Sequence, residues 1–166
     1  GRKAEKPDFQ SGNQATTRRF MDALTIQESG GNYEAVNEDT GASGRYQIMP
    51  DNWAEWSKEA GLPVGSEMTP ENQDKVATHK MQNYFKKFGR WDLVAVAWYS
   101  GEQNAERLKK GKKTLIDDNG NEYSPDAKLS NGPSVNEYTR SVMKHMDSLD
   151  KREKRKSVEQ LPIQEG

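Results

Sequence analysis

The stretch that decides the fold is IQESGGNYEAVNEDTGASGRYQIMP, residues 26–50. Glu28 is the first acidic residue of this stretch, and the apolar residues Phe20 and Leu24 precede it at intervals of four. At about 100° of rotation per residue, these three side chains share one face of a helix. The pair Gly30–Gly31 then supplies the left-handed backbone that is common at helix ends. The pattern predicts a helix that runs into Glu28 and stops at the glycines.

A carboxylate on the inward face of a helix has distinct chemistry. Partial removal from water disfavours its charged form, which raises its pKa and suits it to donate a proton as a general acid. The alternative is a Glu28 that lies at the helix end and points to solvent, because acidic side chains are rarely buried without a partner. Periodicity alone leaves both interpretations open.

The residues around Glu28 carry a longer pattern. Glu28-Ser29 is followed by GASGRYQIMP, residues 41–50. This arrangement resembles the SLT-type lytic transglycosylase and goose-type lysozyme superfamily, whose signature is Glu-Ser and then Gly-Ala-x-Gly-x-x-Gln-x-x-Pro. The opening ESGGNY is also similar to the related resuscitation-promoting factors. The resemblance implies a mainly α (α+β, lysozyme-like) fold, a helical domain with a small β-hairpin insertion.

Composition limits the classes of protein that fit. The 166 residues are 31% hydrophobic, enough for one domain with a modest core. Basic and acidic residues, 25 and 26, nearly cancel, so we expect no nucleic-acid partner. No apolar run approaches the roughly 18 residues of a membrane span, so we expect no membrane insertion and see no signal peptide. Cysteine is absent, which excludes disulfides. The chain begins at Gly1 rather than Met, so we expect a piece of a longer protein.

We expect three regions along the chain. Residues 1–15 form a polar linker or arm, residues 16–150 the lysozyme-like domain and residues 151–166 a charged tail. Thr16 or Thr17 is expected to cap the helix that carries Glu28.

The remaining helices follow from caps and periodicity. Asp51 or Asn52 is expected to cap a short helix whose Trp53 and Trp56 either pack in the core or stack on sugars. Thr69-Pro70 predicts another helix start. Asp92 is expected to cap residues 93–98, which are apolar on every side and predict a buried central helix.

The last third of the chain predicts an insertion and a final helix. Residues 111–133 are rich in turn formers, and Asn119-Gly120 predicts a hairpin within an inserted flap. Ser134 and Glu137 then form a capping box. The helix that follows places apolar residues and Tyr138 inward, and a Tyr-x-x-x-Val pair of this kind also recurs in the family.

The resemblance assigns site residues to positions in this sequence. It implies that Glu28 is the catalytic acid and then base, and that Tyr99 hydrogen-bonds the Glu28 carboxyl and fixes its rotamer. The family pattern near Tyr99 commonly has Asn where this chain has Ser100. Substrate contacts are expected from Ser29, Tyr46, Gln47, Met49 and Ser100.

The resemblance also implies the reaction. A lytic transglycosylase cleaves the MurNAc-β-1,4-GlcNAc bond of peptidoglycan glycan strands and leaves 1,6-anhydroMurNAc ends. A goose-type hydrolase would instead use an acidic residue to position water, and of Glu34, Glu38 and Asp39 we single out Asp39. A non-catalytic glycan-binding or structural module is the third alternative.

Cofactors and location complete the expectations. No cofactor or metal is expected, because neither His79 nor His145 has a second plausible ligand beside it. We expect an extracytoplasmic protein, secreted, periplasmic or virion-associated. It would be part of a larger wall-degrading, conjugation-associated or phage-particle assembly.

Overall fold

The computed structural model describes residues 12–130 and 132–159. Within them the chain is mainly helical, as expected. The elements in order are α1 (Gln14–Glu28), α2 (Pro50–Glu59), α3 (Pro70–Phe88), α4 (Trp91–Ser100), α5 (Glu102–Lys109), β1 (Leu115–Ile116), β2 (Glu122–Tyr123) and α6 (Val135–Glu159). None of the described helices has both the length and the apolar character to cross a membrane.

Helix α4 lies at the centre of the core. Every residue from Leu93 to Ala97 is buried, which confirms the prediction made from its continuous apolar run. Helices α1, α3, α5 and α6 pack around it or against one another. The ring of Phe20 on α1 stacks on that of Trp91 at the start of α4, with 4.7 Å between centroids. Because α1 is held against this core, its last turn has a fixed place at the edge of the molecule.

Two predicted helix starts are correct, because a side chain closes the first turn in each. The Thr69 hydroxyl accepts a hydrogen bond from the Asn72 amide at 3.2 Å. The Ser134 hydroxyl accepts one from the Glu137 amide at 3.0 Å. These bonds satisfy N–H groups that lack partners within the helix.

The cap predicted for α1 is wrong. The Asn13 side chain accepts from the Thr16 amide at 2.8 Å, so the helix begins earlier than Thr16 or Thr17 would place it. The Thr17 hydroxyl lies inside the helix and donates to the Asn13 carbonyl at 2.8 Å.

The caps predicted for α2 and α4 are also wrong. Helix α2 begins at Pro50 after Met49, before Asp51 and Asn52, because proline suits the first helical position. Helix α4 begins after Arg90, and Asp92 lies in its first turn, paired with the Arg90 guanidinium at 2.6 Å.

The two tryptophans of α2 make contacts inside the protein. The Trp53 indole N–H donates to the Ser66 carbonyl at 2.9 Å. The Trp56 ring lies 5.2 Å from that of Trp98. Both contacts favour the core-packing alternative over sugar stacking.

The predicted hairpin is present as a two-stranded antiparallel sheet in which Leu115 pairs with Tyr123. Strands this short need support. Asn104 on α5 provides it, since its side chain accepts from the Ile116 amide at 2.8 Å and donates to the Ile116 carbonyl at 3.1 Å. The side-chain amide of Asn104 therefore pairs with the backbone of Ile116 in the way that a neighbouring strand would.

Helix α6 is 25 residues long and packs against α1 and α4 through its first half. Its buried side chains are Val135, Tyr138, Val142 and Met146. Residues 151–159, the start of the predicted charged tail, continue the helix and are exposed. Most of the predicted N-terminal arm and residues 160–166 lie outside the described residues.

Candidate active site

The site begins with the carboxyl group of Glu28 at the end of α1. This side chain is half-buried. The Tyr138 hydroxyl of α6 donates to Glu28 Oε1 at 2.5 Å, and Tyr138 itself is 2% exposed. One residue earlier on α1, Gln27 Oε1 accepts from the Ser141 hydroxyl at 2.6 Å. Two adjacent bonds from α6 thus fix the last turn of α1.

Burial sets the protonation of this carboxyl group. Removal from water raises the pKa of Glu28 above its ordinary value of 4.5, and the Tyr138 hydrogen bond lowers it by a smaller amount. Burial wins because the charged form loses more by desolvation than one donor returns. A carboxyl with a raised pKa keeps its proton nearer to neutral pH, which is what a general acid requires.

Tyr99 does not make the hydrogen bond that the sequence predicts. Its hydroxyl donates to the Pro133 carbonyl at 2.7 Å, and Tyr138 takes the place beside Glu28. The Tyr99 ring instead stacks on the Tyr138 ring, with 4.1 Å between centroids and 6° between planes. The physical reason is that α6 packs against α1 and brings Tyr138 to the carboxyl. Tyr99 therefore supports the tyrosine that contacts Glu28.

The second part of the site is the signature loop, residues 41–50. Ser43 and Ile48 exchange two backbone hydrogen bonds, both 3.0 Å, around a tight turn. Gln47 in this turn has φ of 54°, and among residues 12–130 and 132–159 no other non-glycine residue has a positive φ. Its side-chain amide donates to the Gly44 carbonyl at 2.9 Å. A non-glycine residue in this conformation is strained, and such strain concentrates at functional sites.

Ser29 joins the two parts of the site. Its hydroxyl donates to the Arg45 carbonyl at 2.6 Å and accepts from the Gly31 amide at 3.1 Å. These bonds tie the end of α1 to the signature loop. The expected sugar contact by Ser29 stays a prediction, and the structure assigns its hydroxyl to the loop.

The other expected contact residues differ in their access to solvent. Tyr46 is 1% exposed, and its hydroxyl donates to Asp74 at 2.6 Å. The ring lies in the core, which argues against the expected sugar contact by Tyr46. Met49 is 40% exposed and Ser100 half-exposed, although the Ser100 hydroxyl donates to the Val96 carbonyl at 3.0 Å.

A cavity of about 460 Å³ adjoins the site on the side of Tyr99. It lies between the end of α4 and the hairpin segment, and Tyr99, Ser100, Tyr123 and Lys128 contribute to its walls. The flap predicted from residues 111–133 therefore borders an open space beside Tyr99. In the described part of the chain, no group of three or more acidic or histidine side chains could hold a metal ion.

Fold and site together define a lysozyme-like domain built around one glutamate at the end of its first helix. The model of the Transglycosylase SLT domain family matches residues 9–121, and the chain belongs to this family. By this match it is a transglycosylase domain of the SLT type. No curated protein matches the chain.

A solved structure supports the fold. The chain is similar to the X-ray structure of an inactive glutamate-to-glutamine mutant of the lytic transglycosylase Slt from Pseudomonas aeruginosa, with a TM-score of 0.57 and 19% identity. The similarity covers 77% of this chain and 20% of that chain. This chain therefore spans about a fifth of the length of that protein.

The contact that sequence reasoning missed is the one between Tyr138 and Glu28. The sequence marks Tyr138 as an inward residue and as part of the Tyr-x-x-x-Val pair, but not as the partner of the carboxyl. Tyr138 also lies outside residues 9–121, which the family model matches. The available signal was that pair, and it gives no distance to α1.

Proposed function

We propose that this domain cleaves the MurNAc-β-1,4-GlcNAc bond of peptidoglycan glycan strands and leaves 1,6-anhydroMurNAc ends. Glu28 protonates the oxygen of the leaving sugar. The same carboxylate then accepts the proton of the C6 hydroxyl, whose oxygen closes the anhydro ring. The substrate's own N-acetyl group stabilises the cationic centre between these steps. The observation that carries the proposal is the half-buried Glu28, with its raised pKa and its bond to Tyr138.

The surroundings of Glu28 favour ring closure over hydrolysis. A hydrolase needs a second group held within hydrogen-bond reach of the attacking water. The candidate for that role, Asp39, is exposed, so packing does not hold its carboxylate in place. By contrast, the C6 hydroxyl is tethered to the reacting sugar, which supplies a high effective concentration.

The proposal extends to where the domain acts. Peptidoglycan lies outside the cytoplasmic membrane, so we place the activity in an extracytoplasmic setting. A place within a larger wall-degrading or phage-particle protein stays a prediction from the sequence. Gln47 and Met49 are proposed to contact the sugar, Gln47 through its side-chain amide.

Mass spectrometry of digested cell walls tests the product. Anhydro ends are lighter by one water than the reducing ends left by hydrolysis. We expect anhydro ends from the wild-type domain and from Asp39→Asn, and no cleavage by Glu28→Gln. The two substitutions are matched, since each replaces one carboxyl group by an amide of the same shape.

Two results would contradict the proposal. Reducing ends that disappear in Asp39→Asn would make the domain a goose-type hydrolase. Binding of glycan strands without any cleavage by the wild-type domain would make it a non-catalytic module.

A further inference from the structure

The tight turn of the signature loop is anchored in the core by Tyr46 and Ile48, which are 1% and 2% exposed. A cavity of about 520 Å³ lies on this side of the molecule, and its walls include Asp22, Arg45, Tyr46 and Asp74. On the side of this cavity, polar contacts add to that packing. Several of these contacts meet at one residue, Arg45.

The backbone of Arg45 is held from two sides. Its N–H donates to Gln73 Oε1 of α3 at 2.9 Å. Its carbonyl accepts a hydrogen bond from the hydroxyl of Ser29 at 2.6 Å, and Ser29 directly follows Glu28 in the chain. Gln73 is 2% exposed, and its amide nitrogen donates to the Met68 carbonyl at 2.6 Å, so this anchor is itself fixed.

The side chain of Arg45 repeats this arrangement. Its guanidinium pairs with Asp22 of α1 at 3.2 Å and donates to the hydroxyls of Tyr33 and Tyr46, both at 3.3 Å. Those two hydroxyls in turn donate to Asp74 of α3, at 2.9 Å and 2.6 Å. A guanidinium can serve several acceptors at once because it is planar and has five donors.

Arg45 thus contacts Asp22 in the second half of α1 and Ser29 directly after the helix ends at Glu28. Two residues beyond Arg45 is the strained Gln47. We infer that Arg45 is a positioning residue, which holds the Gln47 turn in place relative to the Glu28 carboxyl. This inference rests on the proposed function for its catalytic consequence, and on the contacts above for its structural one.

The test compares two substitutions that remove similar interactions. Arg45→Met keeps the length of the side chain and removes its donors and charge. Lys80→Met is the matched control. Lys80 also pairs with a carboxylate, Glu59 at 3.2 Å, and lies over two aromatic rings at 4.9 and 5.1 Å, compared with 5.3 and 5.6 Å for Arg45.

Both variants are expected to lose stability, but only Arg45→Met is expected to lose activity. A displacement of about 1 Å at a site can lower a rate by about a hundredfold, so we expect kcat/KM on soluble glycan strands to fall at least about tenfold. Lys80→Met should keep the kcat/KM of the wild-type domain. Equal losses in the two variants would reduce Arg45 to a general contributor to stability and overturn the inference.

A double-mutant cycle shows whether Arg45 acts through Gln47. If it does, Arg45→Met costs far less kcat/KM in a Gln47→Ala background than in the wild-type background, because the turn no longer presents its amide. The same cost in both backgrounds would overturn the inference. Arg45→Lys, which keeps the charge but lacks the planar fork, is used in both arms if Arg45→Met does not fold.

A measurement without substrate separates this inference from the proposed function. The Gly44 amide donates to the Ala35 carbonyl at 2.7 Å, and the Ile48 amide donates to Ser43 at 3.0 Å. Hydrogen exchange at these two amides, followed by NMR, should accelerate in Arg45→Met and not in Lys80→Met. Unchanged exchange would refute the positioning role even if the wild-type domain cleaves glycan, and an inactive wild-type domain would refute only the proposed function.

Discussion

Replacing Tyr138 by Phe removes the hydroxyl that donates to Glu28 and leaves the ring stacked on Tyr99. A hydrogen bond to a charged group contributes about 1.5–3 kcal/mol. Because the Tyr138 hydroxyl donates to the carboxylate, its loss disfavours the charged form of Glu28. One pKa unit corresponds to about 1.4 kcal/mol, so the pKa of Glu28, already raised by burial, should rise further by about 1–2 units.

The assay is the pH dependence of kcat/KM on soluble glycan strands. A general acid must hold its proton in the free enzyme, so activity falls as pH rises through the pKa of Glu28. In Tyr138→Phe this high-pH limb should move upward by about 1–2 units.

Tyr84→Phe is the control for this measurement. Tyr84 is also buried, and its ring lies 6.1 Å from Phe88, in a different part of the core. The high-pH limb of the kcat/KM profile of Tyr84→Phe should coincide with that of the wild-type domain. A limb that stays in place in Tyr138→Phe, or that moves equally in Tyr84→Phe, would refute the assignment of Tyr138 as the partner that tunes Glu28.

Two further predictions concern Glu28 and Tyr99. Since burial raises the pKa of Glu28 in the folded protein above 4.5, the native state still holds a proton at pH values where the unfolded chain has released it. The stability that this proton contributes to the native state is lost as pH rises through the folded pKa. The Tm of Glu28→Gln relative to wild type should therefore increase between about pH 4 and about pH 8, whereas a constant difference would contradict the raised pKa. Tyr99→Phe loses its bond to Pro133, so its free energy of unfolding in urea should fall by about 0.5–1.5 kcal/mol with turnover near the wild-type value. If turnover falls without loss of stability, the Tyr99 hydroxyl takes part in the reaction, and this prediction is wrong.

Local patterns predicted much of the fold, because they depend on neighbours in sequence. The stripe formed by Phe20, Leu24 and Glu28 placed the carboxyl on the inner side of α1. Asn119-Gly120 located the hairpin, and the run from Leu93 located the central helix. In each case periodicity or turn chemistry within a few residues decides the conformation.

Contacts between distant segments could not be predicted in the same way. The sequence pointed to Tyr99 as the partner of the Glu28 carboxyl, and the packing of α6 on α1 places Tyr138 there instead. Three helix caps were misplaced for a related reason. In each case the expected cap lies two to four residues after the observed one, which is Asn13, Met49 or Arg90. The sequence does not rank such neighbouring candidates.

The bond between Tyr138 and Glu28 joins residues that are 110 positions apart, and the one between Ser141 and Gln27 joins residues 114 apart. At about 5–20 residues per second, a ribosome needs roughly 5–20 s to make the chain between the two members of such a pair. Throughout that interval Glu28 has been made, but its carboxyl group has neither its tyrosine nor the helix that shields it from water. The site is thus complete only when α6 docks. In a nascent or truncated chain without α6, the pKa of Glu28 is not set by Tyr138 and by the burial that α6 provides.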